Sequence, residues 1–313
     1  MWLPGLARSM HQSLTQPAAD RQLTPVSVFI EPRRQLGRWE LLGIEGEGPL
    51  ARVYRARPAD GNDRPASYAV KVLHDRYNDD PQAVALFRRE AQLGRAISHP
   101  HLISILAAHV ASPPYYVVMP WLPGRTLRKM LDERTPLDVP FVLWIVRQTA
   151  EALSALAAAG WRHGDLKPSN LFISPEGHVT VLDLGLARRD GESDSVLDRC
   201  VTGTCHYLAP EAITSTMASD IRSDIYSLGA VLFEMLTGRL PFPGDSLEAI
   251  VTAHRQARAP DPRRLAPHLP NGVVRLVRQM LSKEPLRRPQ TPEELITQLS
   301  RLEVVSFGQR SYC

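Results

Sequence analysis

The sequence predicts an α+β fold of two lobes, a small one built mainly of antiparallel strands and a larger helical one, with a cleft between them. Three observations carry this expectation. From Trp39 to Pro120, short β-prone runs alternate with Gly, Pro and Asp clusters. After Gly124 the apolar residues recur at helical spacing instead. Finally, 313 residues that are 43% hydrophobic and 22% charged are enough to bury one large core or two ordinary ones.

The elements follow in order. Residues 1–37 are rich in Gln, Pro, Ser and Thr without sustained periodicity, and read as a disordered extension. WELLGI, ARVYRA and YAVKVL are short strands of an antiparallel meander. DDPQAVALFRREAQLGRAI reads as a helix, with Asp80 as its cap, Pro81 in its first turn, and Ala85, Leu86, Leu93 and Ile97 at apolar positions. LISIL and YYVVM read as two further buried strands. Beyond Gly124, DVPFVLWIVRQTAEALSALAAAG is a helix that starts at Asp138 and Pro140 and stops at Gly160. DIYSLGAVLFEMLTG is apolar on nearly every side, so it belongs at the centre of the larger lobe. TPEELITQLSRL opens with Thr291, Pro292 and Glu294, the pattern of a capping box. The expected boundaries are an extension at 1–37, a domain at 38–302 with lobes at 38–120 and 124–302, and a short tail at 303–313. No internal repeat is visible.

Composition narrows the function. The net charge of +4 is spread along the chain with no Lys/Arg run, which argues against nucleic acid as a partner. Three cysteines, Cys200, Cys205 and Cys313, make no even framework and point to a reducing compartment. No uninterrupted apolar run approaches the roughly 20 residues that a membrane helix needs. MWLPGLARSM, with Pro4, is a poor secretory signal. The expectation is a cytoplasmic protein without a membrane partner, whose regulatory input comes from a partner protein, a soluble ligand or the extension.

The chemistry concentrates around WRHGDLKPSN at 161–170. Of 37 Lys+Arg only four are lysines: Lys71, Lys129, Lys167 and Lys283. Lysine is a compact point charge that Arg does not replace at every site, so its positions are informative. Asp165, Lys167 and Asn170 fall on a tight loop between a helix and a strand. Such a loop can offer a carboxylate to orient a hydroxyl, an ammonium to hold a transferring phosphate and an amide oxygen for a cation. Downstream, VTVLDLGLA places Asp183 at the end of an apolar strand, which together with Asn170 makes a natural Mg²⁺ site. Upstream, Gly46 and Gly48 lie between two strands, where glycine lets the backbone pass close to phosphates. A third glycine would be expected at 51, where the chain has Ala51. Lys71 sits on a strand and Glu90 on the following helix, so the two can pair across the small lobe.

Together these residues resemble the eukaryotic-type Ser/Thr protein kinase family, from about Trp39 to Leu302. The resemblance implies ATP with Mg²⁺ (Mn²⁺ as an alternative) and a protein substrate with a Ser or Thr acceptor. It assigns Gly46 and Gly48 to the phosphate-covering loop, and Lys71 to the α- and β-phosphates with Glu90 as its partner. Asp165 would be the catalytic base, Lys167 would steady the γ-phosphate, Asn170 and Asp183 would ligate the metal, and Thr204 would steady Asp165 and Lys167. Val53, Ala69 and Phe172 join the nucleotide-binding set. Met119 would be the gatekeeper, with Pro120, Trp121 and Leu122 as the adenine-binding hinge. His163 is expected to pack under the loop rather than act as an acid or base.

Two departures stand out. HGDL has Gly164 where protein kinases usually have Arg, and in this it is similar to the aminoglycoside and choline kinases. GTCHYLAPE at 203–211, Glu211 facing Arg288 of KEPLRRP, Asp224 of DIYSLG and GRLPF at 238–242 favour the protein kinases. A small-molecule phosphotransferase and a non-catalytic pseudokinase scaffold remain the alternatives. Without an Arg at 164 the usual anchor for a loop phosphate is missing. Activity is therefore expected to depend little on phosphorylation of Ser193, Ser195 or Thr202, with Arg188, Arg189 or Arg199 as substitute partners. The second departure is Gly94, four residues after Glu90, where an apolar side chain would link the lobes; its absence is expected to loosen the helix. Gly124-Arg125-Thr126 lacks the acid used by many Arg-directed kinases, so a strongly basophilic preference is not expected.

Overall fold

The computed structural model describes residues 34–60, 65–190, 192, 204–214 and 219–308. The expectations for residues 1–33, Ser193, Ser195, Arg199, Cys200, Thr202 and Cys313 fall outside these residues.

The small lobe is one sheet of six antiparallel strands in the order β1-β2-β3-β4-β6-β5. These are β1 (Arg34–Leu36), β2 (Trp39–Glu47), β3 (Ala51–Pro58), β4 (Tyr68–Leu73), β5 (Ala107–His109) and β6 (Tyr116–Pro120). Alternation along the strands gives the sheet two apolar faces. One carries Trp39, Leu41, Tyr54, Ala56, Val70 and Val118. The other carries Ala51, Leu73 and Val117 and is covered by Ala83, Val84, Phe87 and Ala91 of α1 (Pro81–Ala96). As expected, Asp80 caps α1: its Oδ1 accepts the N–H groups of Gln82 (2.9 Å) and Ala83 (3.3 Å).

LISIL is not a strand of this sheet. Leu102, Ile103 and Ile105 are buried as the pattern predicts, but their backbone is satisfied elsewhere. Leu102 makes an isolated parallel bridge to Val181, Ile103 N–H donates to the Val181 carbonyl, and Ile105 N–H donates to the Gly94 carbonyl at the end of α1. A short apolar run cannot say which backbone will satisfy it.

The larger lobe is built around α3 (Val139–Ala158) and α5 (Ile221–Thr237), with α2 (Leu127–Glu133), α4 (Pro210–Thr214), α6 (Leu247–Gln256), α7 (Asn271–Met280) and α8 (Pro292–Gly308) around them. Ser223 through Leu236 of α5 are all buried, so it is the central helix its composition demanded. By length and composition α3 is apolar enough to cross a membrane, but its apolar positions form the core of this lobe. Two small sheets complete the lobe. β7 (Arg125–Thr126), β9 (Leu171–Ile173) and β10 (Val179–Val181) form one, and β8 (Trp161–Arg162) pairs with β11 (Arg188–Arg189) in the other. Residues 163–170 span β8 to β9, so both ends of the quoted loop are held by strands.

Candidate active site

The loop is fastened from below by α5. The Asp224 carboxylate accepts the backbone N–H groups of His163 (2.5 Å) and Gly164 (2.8 Å). Burial raises the Asp224 carboxyl pKa, opposed by His163, these N–H bonds and Arg162. The His163 ring is fully buried; its Nδ1 accepts the Asp165 N–H (3.2 Å) and its Nε2 donates to the Leu182 carbonyl (2.9 Å). Those two bonds fix the orientation of the ring, which fits a packing role. Gly164 has φ +78°, in the left-handed region where a Cβ costs about 1–2 kcal/mol.

Asp165 is held the same way at one oxygen only. Its Oδ2 lies 2.9 Å from Lys167 Nζ and accepts Asn170 Nδ2 at 3.0 Å, while the same Nδ2 donates to the Asp165 carbonyl (2.8 Å). Oδ1 is buried and has no hydrogen-bond partner among the described residues. A buried carboxylate oxygen left bare is costly unless something arrives to use it.

Across the cleft, Lys71 Nζ donates to both Glu90 oxygens (3.0 and 2.8 Å) and pairs with Asp183 Oδ1 (3.3 Å). Burial raises the Glu90 pKa to about 7, with Lys71 opposing it. Burial also acts to raise Asp183, but the ammonium outweighs it and holds that carboxyl below the ordinary range. Lys71 itself is raised, because the two carboxylates overcome its desolvation. Asp183 is the one described non-glycine residue with positive φ, at 61°. Asp tolerates that region better than most residues, and such strain gathers at functional sites.

A cavity of about 840 Å³ joins the two sides. Of the residues expected at the site, the small lobe brings Gly46, Gly48, Val53, Ala69, Lys71 and Glu90 to it. The connection brings Met119, Pro120 and Leu122, and the larger lobe brings Asp165, Lys167, Asn170, Phe172 and Asp183. Thr204 opens a 3-10 turn, Thr204–Tyr207, but its side chain is not among those described. A Cβ on Gly46 would meet only Val53 at 3.9 Å and one on Gly48 only the Ala51 carbonyl at 3.4 Å. The protein's own packing therefore does not require these glycines, which leaves the space over the cleft as their reason. Gly124 differs: φ is +129° and a Cβ would collide with the Ile173 carbonyl.

Two features went unread in the sequence and a third was misread. Tyr207 Oη donates to Glu234 Oε2 (2.7 Å) and Arg128 Nη1 to Oε1 (2.8 Å), so the segment after Thr204 is tied to α5 and α2. Arg162 is fully buried beside the loop. Gly94 is not a gap: Ile105 fills its place, and a Cβ at 94 would collide with Ile105 Cγ1. The expected loosening of α1 is corrected accordingly, since the apolar column is completed from the neighbouring segment. The Glu211–Arg288 pair lies where the motif placed it, with Nη1 and Nη2 donating to Oε1 and Oε2 at 2.5 and 2.9 Å.

A strand-rich lobe carrying Lys71 and Glu90, facing a helical lobe carrying Asp165, Asn170 and Asp183 over one cavity, defines the two-lobed kinase class. Comparison with known proteins agrees: residues 39–299 match the protein kinase domain model, and the chain belongs to that family. It is 35% identical over 263 residues to the serine/threonine-protein kinase PrkC of Bacillus subtilis, covering 84% of this chain and 40% of that protein. It is 35% identical over 270 residues to serine/threonine-protein kinase PknB of Mycobacterium leprae, covering 85% and 43%. A probable serine/threonine-protein kinase of Clostridium perfringens is 34% identical over 266 residues, covering 85% and 38%. The chain thus spans about two fifths of the length of these relatives.

Proposed function

We propose that the chain is an ATP-dependent serine/threonine protein kinase, cytoplasmic in setting, whose catalytic domain occupies 38–302 with lobes at 38–120 and 124–302. The observation that carries the reading is Asp165: one carboxylate oxygen is pinned by Lys167 and Asn170, and the other is buried, bare and in the cleft. That is the arrangement for orienting an acceptor hydroxyl and taking its proton.

The residues fit the nucleotide and metal that the family implies. Asn170 spends its amide nitrogen on Asp165, which leaves its oxygen for a cation, and Asp183 is kept ionised by Lys71. Mg²⁺ prefers such a sparse set of protein oxygens completed by phosphate and water. Bound there, it would neutralise phosphate charge; Mn²⁺ is the alternative. Lys71 orients the nucleotide phosphates, with Glu90 fixing the ammonium, and Lys167 steadies the group in transfer. The backbone of Met119 to Leu122 seats the base, with Val53, Ala69 and Phe172 closing around it and Gly46 and Gly48 letting the loop descend. Thr204 steadies Asp165 and Lys167. Catalysis here is positioning and charge neutralisation, with little covalent work for the protein.

The test is phosphate transfer from labelled ATP and Mg²⁺ by wild type and Asp165→Asn. The acceptors are the chain itself, a generic Ser/Thr protein and an aminoglycoside and choline panel. Label on protein Ser/Thr that Asp165→Asn abolishes is the expected result. Label on a small molecule, or ATP binding with no transfer to anything, would replace the reading.

A further inference from the structure

With no side chain at Gly164, something else must hold the residues that follow Asp183, described at 183–190 and 192, against the catalytic loop. The structure assigns this to Arg162, two residues earlier: we propose that it positions the segment through backbone carbonyls and needs no phosphate to do so. The inference rests on the kinase reading for its activity readout, but its geometry stands apart from it.

Arg162 is the last residue of β8 and is fully buried. Its backbone pairs with Arg188 of β11, which fixes the start of the segment. Its Nη2 donates to the Glu192 carbonyl (2.8 Å) beyond that strand, and its Nε donates to the Ser219 carbonyl (3.1 Å) just before α5. One planar guanidinium therefore joins Glu192 and Ser219 to the strand that leads into His163 and Asp165. A buried guanidinium needs matching charge. Asp224, which holds the His163 and Gly164 N–H groups, and Asp190 both feel the charge of Arg162; burial raises each carboxyl and Arg162 draws it back toward the ionised form.

Glu192 extends the link to the small lobe. Its carboxylate accepts the Arg189 N–H (2.9 Å), its own N–H donates to the Arg189 carbonyl (3.1 Å), and it pairs with Arg89 of α1 at 3.8 Å. Arg89 precedes Glu90, the partner of Lys71. A built-in carboxylate thus meets α1 in the turn whose carbonyl Arg162 grips. Lysine could not reproduce the grip, because its single ammonium has no fork to reach two carbonyls on different segments.

The experiment uses the full chain after phosphatase treatment, with Ser193, Ser195 and Thr202 shown unmodified by mass spectrometry. Wild type, Arg162→Met, Arg162→Lys and Glu192→Lys are compared for kcat, KM for ATP, and hydrogen exchange at Arg188, Arg189 and Asp190. Unphosphorylated wild type is expected to transfer phosphate without a lag. Both Arg162 variants should lose about tenfold or more in kcat with KM for ATP within about twofold, since the nucleotide contacts are untouched. They should also exchange faster at Arg188–Asp190. Glu192→Lys, which sets a cation against Arg89, should lose about threefold. Folded Arg162 variants with wild-type kcat and exchange would overturn the proposal. So would an unphosphorylated wild type that is inactive until its segment is phosphorylated. If Arg162→Met does not fold, Arg162→Lys and Glu192→Lys decide by the same criteria. If wild type transfers no phosphate to any acceptor, it is the kinase reading that fails, and unchanged exchange in Arg162→Lys would then overturn this inference separately.

Discussion

Two of the buried ion pairs look alike in the sequence and differ in kind. Lys71–Glu90 spans the small lobe, and the ammonium makes two N–H bonds to Glu90 and pairs with a third carboxylate oxygen of Asp183, whose side chain is 42% exposed. Arg288–Glu211 lies inside the larger lobe, at 0% and 5% exposure. All five N–H groups of Arg288 are used, two on Glu211 and three on the carbonyls of Ser282, Arg222 and Lys283, while Glu211 also accepts Ser223 Oγ (2.7 Å). A rigid fork with every donor satisfied is a clamp. A point charge facing an open cavity, with carboxylates that can exchange for phosphate, is a tool. The chain writes almost all its cations as Arg, and at Lys71 and Lys167, in the cleft, it keeps Lys.

That contrast can be broken at either end. Arg288→Met leaves Glu211 as a buried carboxylate without its guanidinium, and should cost about 3–5 kcal/mol of stability, read in a denaturant melt. Lys71→Met should do the reverse. Glu90 already has a pKa of about 7, so it can take up a proton and the melt should shift little. Phosphate transfer should fall about 10³-fold, or about 4 kcal/mol. If Lys71→Met unfolds the chain while Arg288→Met leaves it stable, the two pairs have been assigned the wrong way round.

The clamp side of the contrast also predicts a pH response. His254 is fully buried, its Nδ1 bonded to Tyr226 Oη (3.0 Å); burial, then the nearby Lys283, lowers its pKa from 6.5 to about 3. Between those values the unfolded chain binds a proton that the folded chain refuses. The contribution of His254 is therefore lost as pH falls below 6.5, by about 1.4 kcal/mol per unit, or about 2 kcal/mol by pH 5, while Glu90, raised to about 7, shifts stability the other way over the same range. Thermal melts of wild type and His254→Leu at pH 7.5 and 5 check this: the variant should lose less on acidification, and equal losses would exclude His254 as the source.

On the tool side, Gly94→Ala should force Ile105 aside and shift α1, costing about 1–2 kcal/mol and lowering transfer with it. Adding Ile105→Ala should restore part of the activity. A Gly94→Ala chain as active as wild type would mean that α1 does not depend on that contact.

The order of the elements was legible because each leaves a local mark. The alternation of β2 to β4, the Asp80–Pro81 start of α1 and the all-round apolarity of α5 are properties of neighbouring residues. The site was legible for a related reason: Asp165, Lys167, Asn170 and Asp183 lie on two short loops, and the structure brings them to one cavity with Lys71 and Glu90. LISIL was misread because burial is written in the sequence and hydrogen-bond partnership is not. Gly94 was misread because a missing side chain looks like a hole until the position of Ile105 is known.

By itself, then, the sequence determined the lobes, the helices and which side chains carry charge into the cleft, since composition, period and loop chemistry act over a few residues. Tertiary structure alone decided the state of those groups. It left one oxygen of Asp165 bare, divided Lys71 between Glu90 and Asp183, set Ile105 against Gly94, and placed Arg162 between Glu192 and Ser219. These contacts join residues as far apart in the chain as Lys71 and Asp183. Their strength depends on distances of a few ångströms and on exclusion of water, neither of which exists until the lobes have packed.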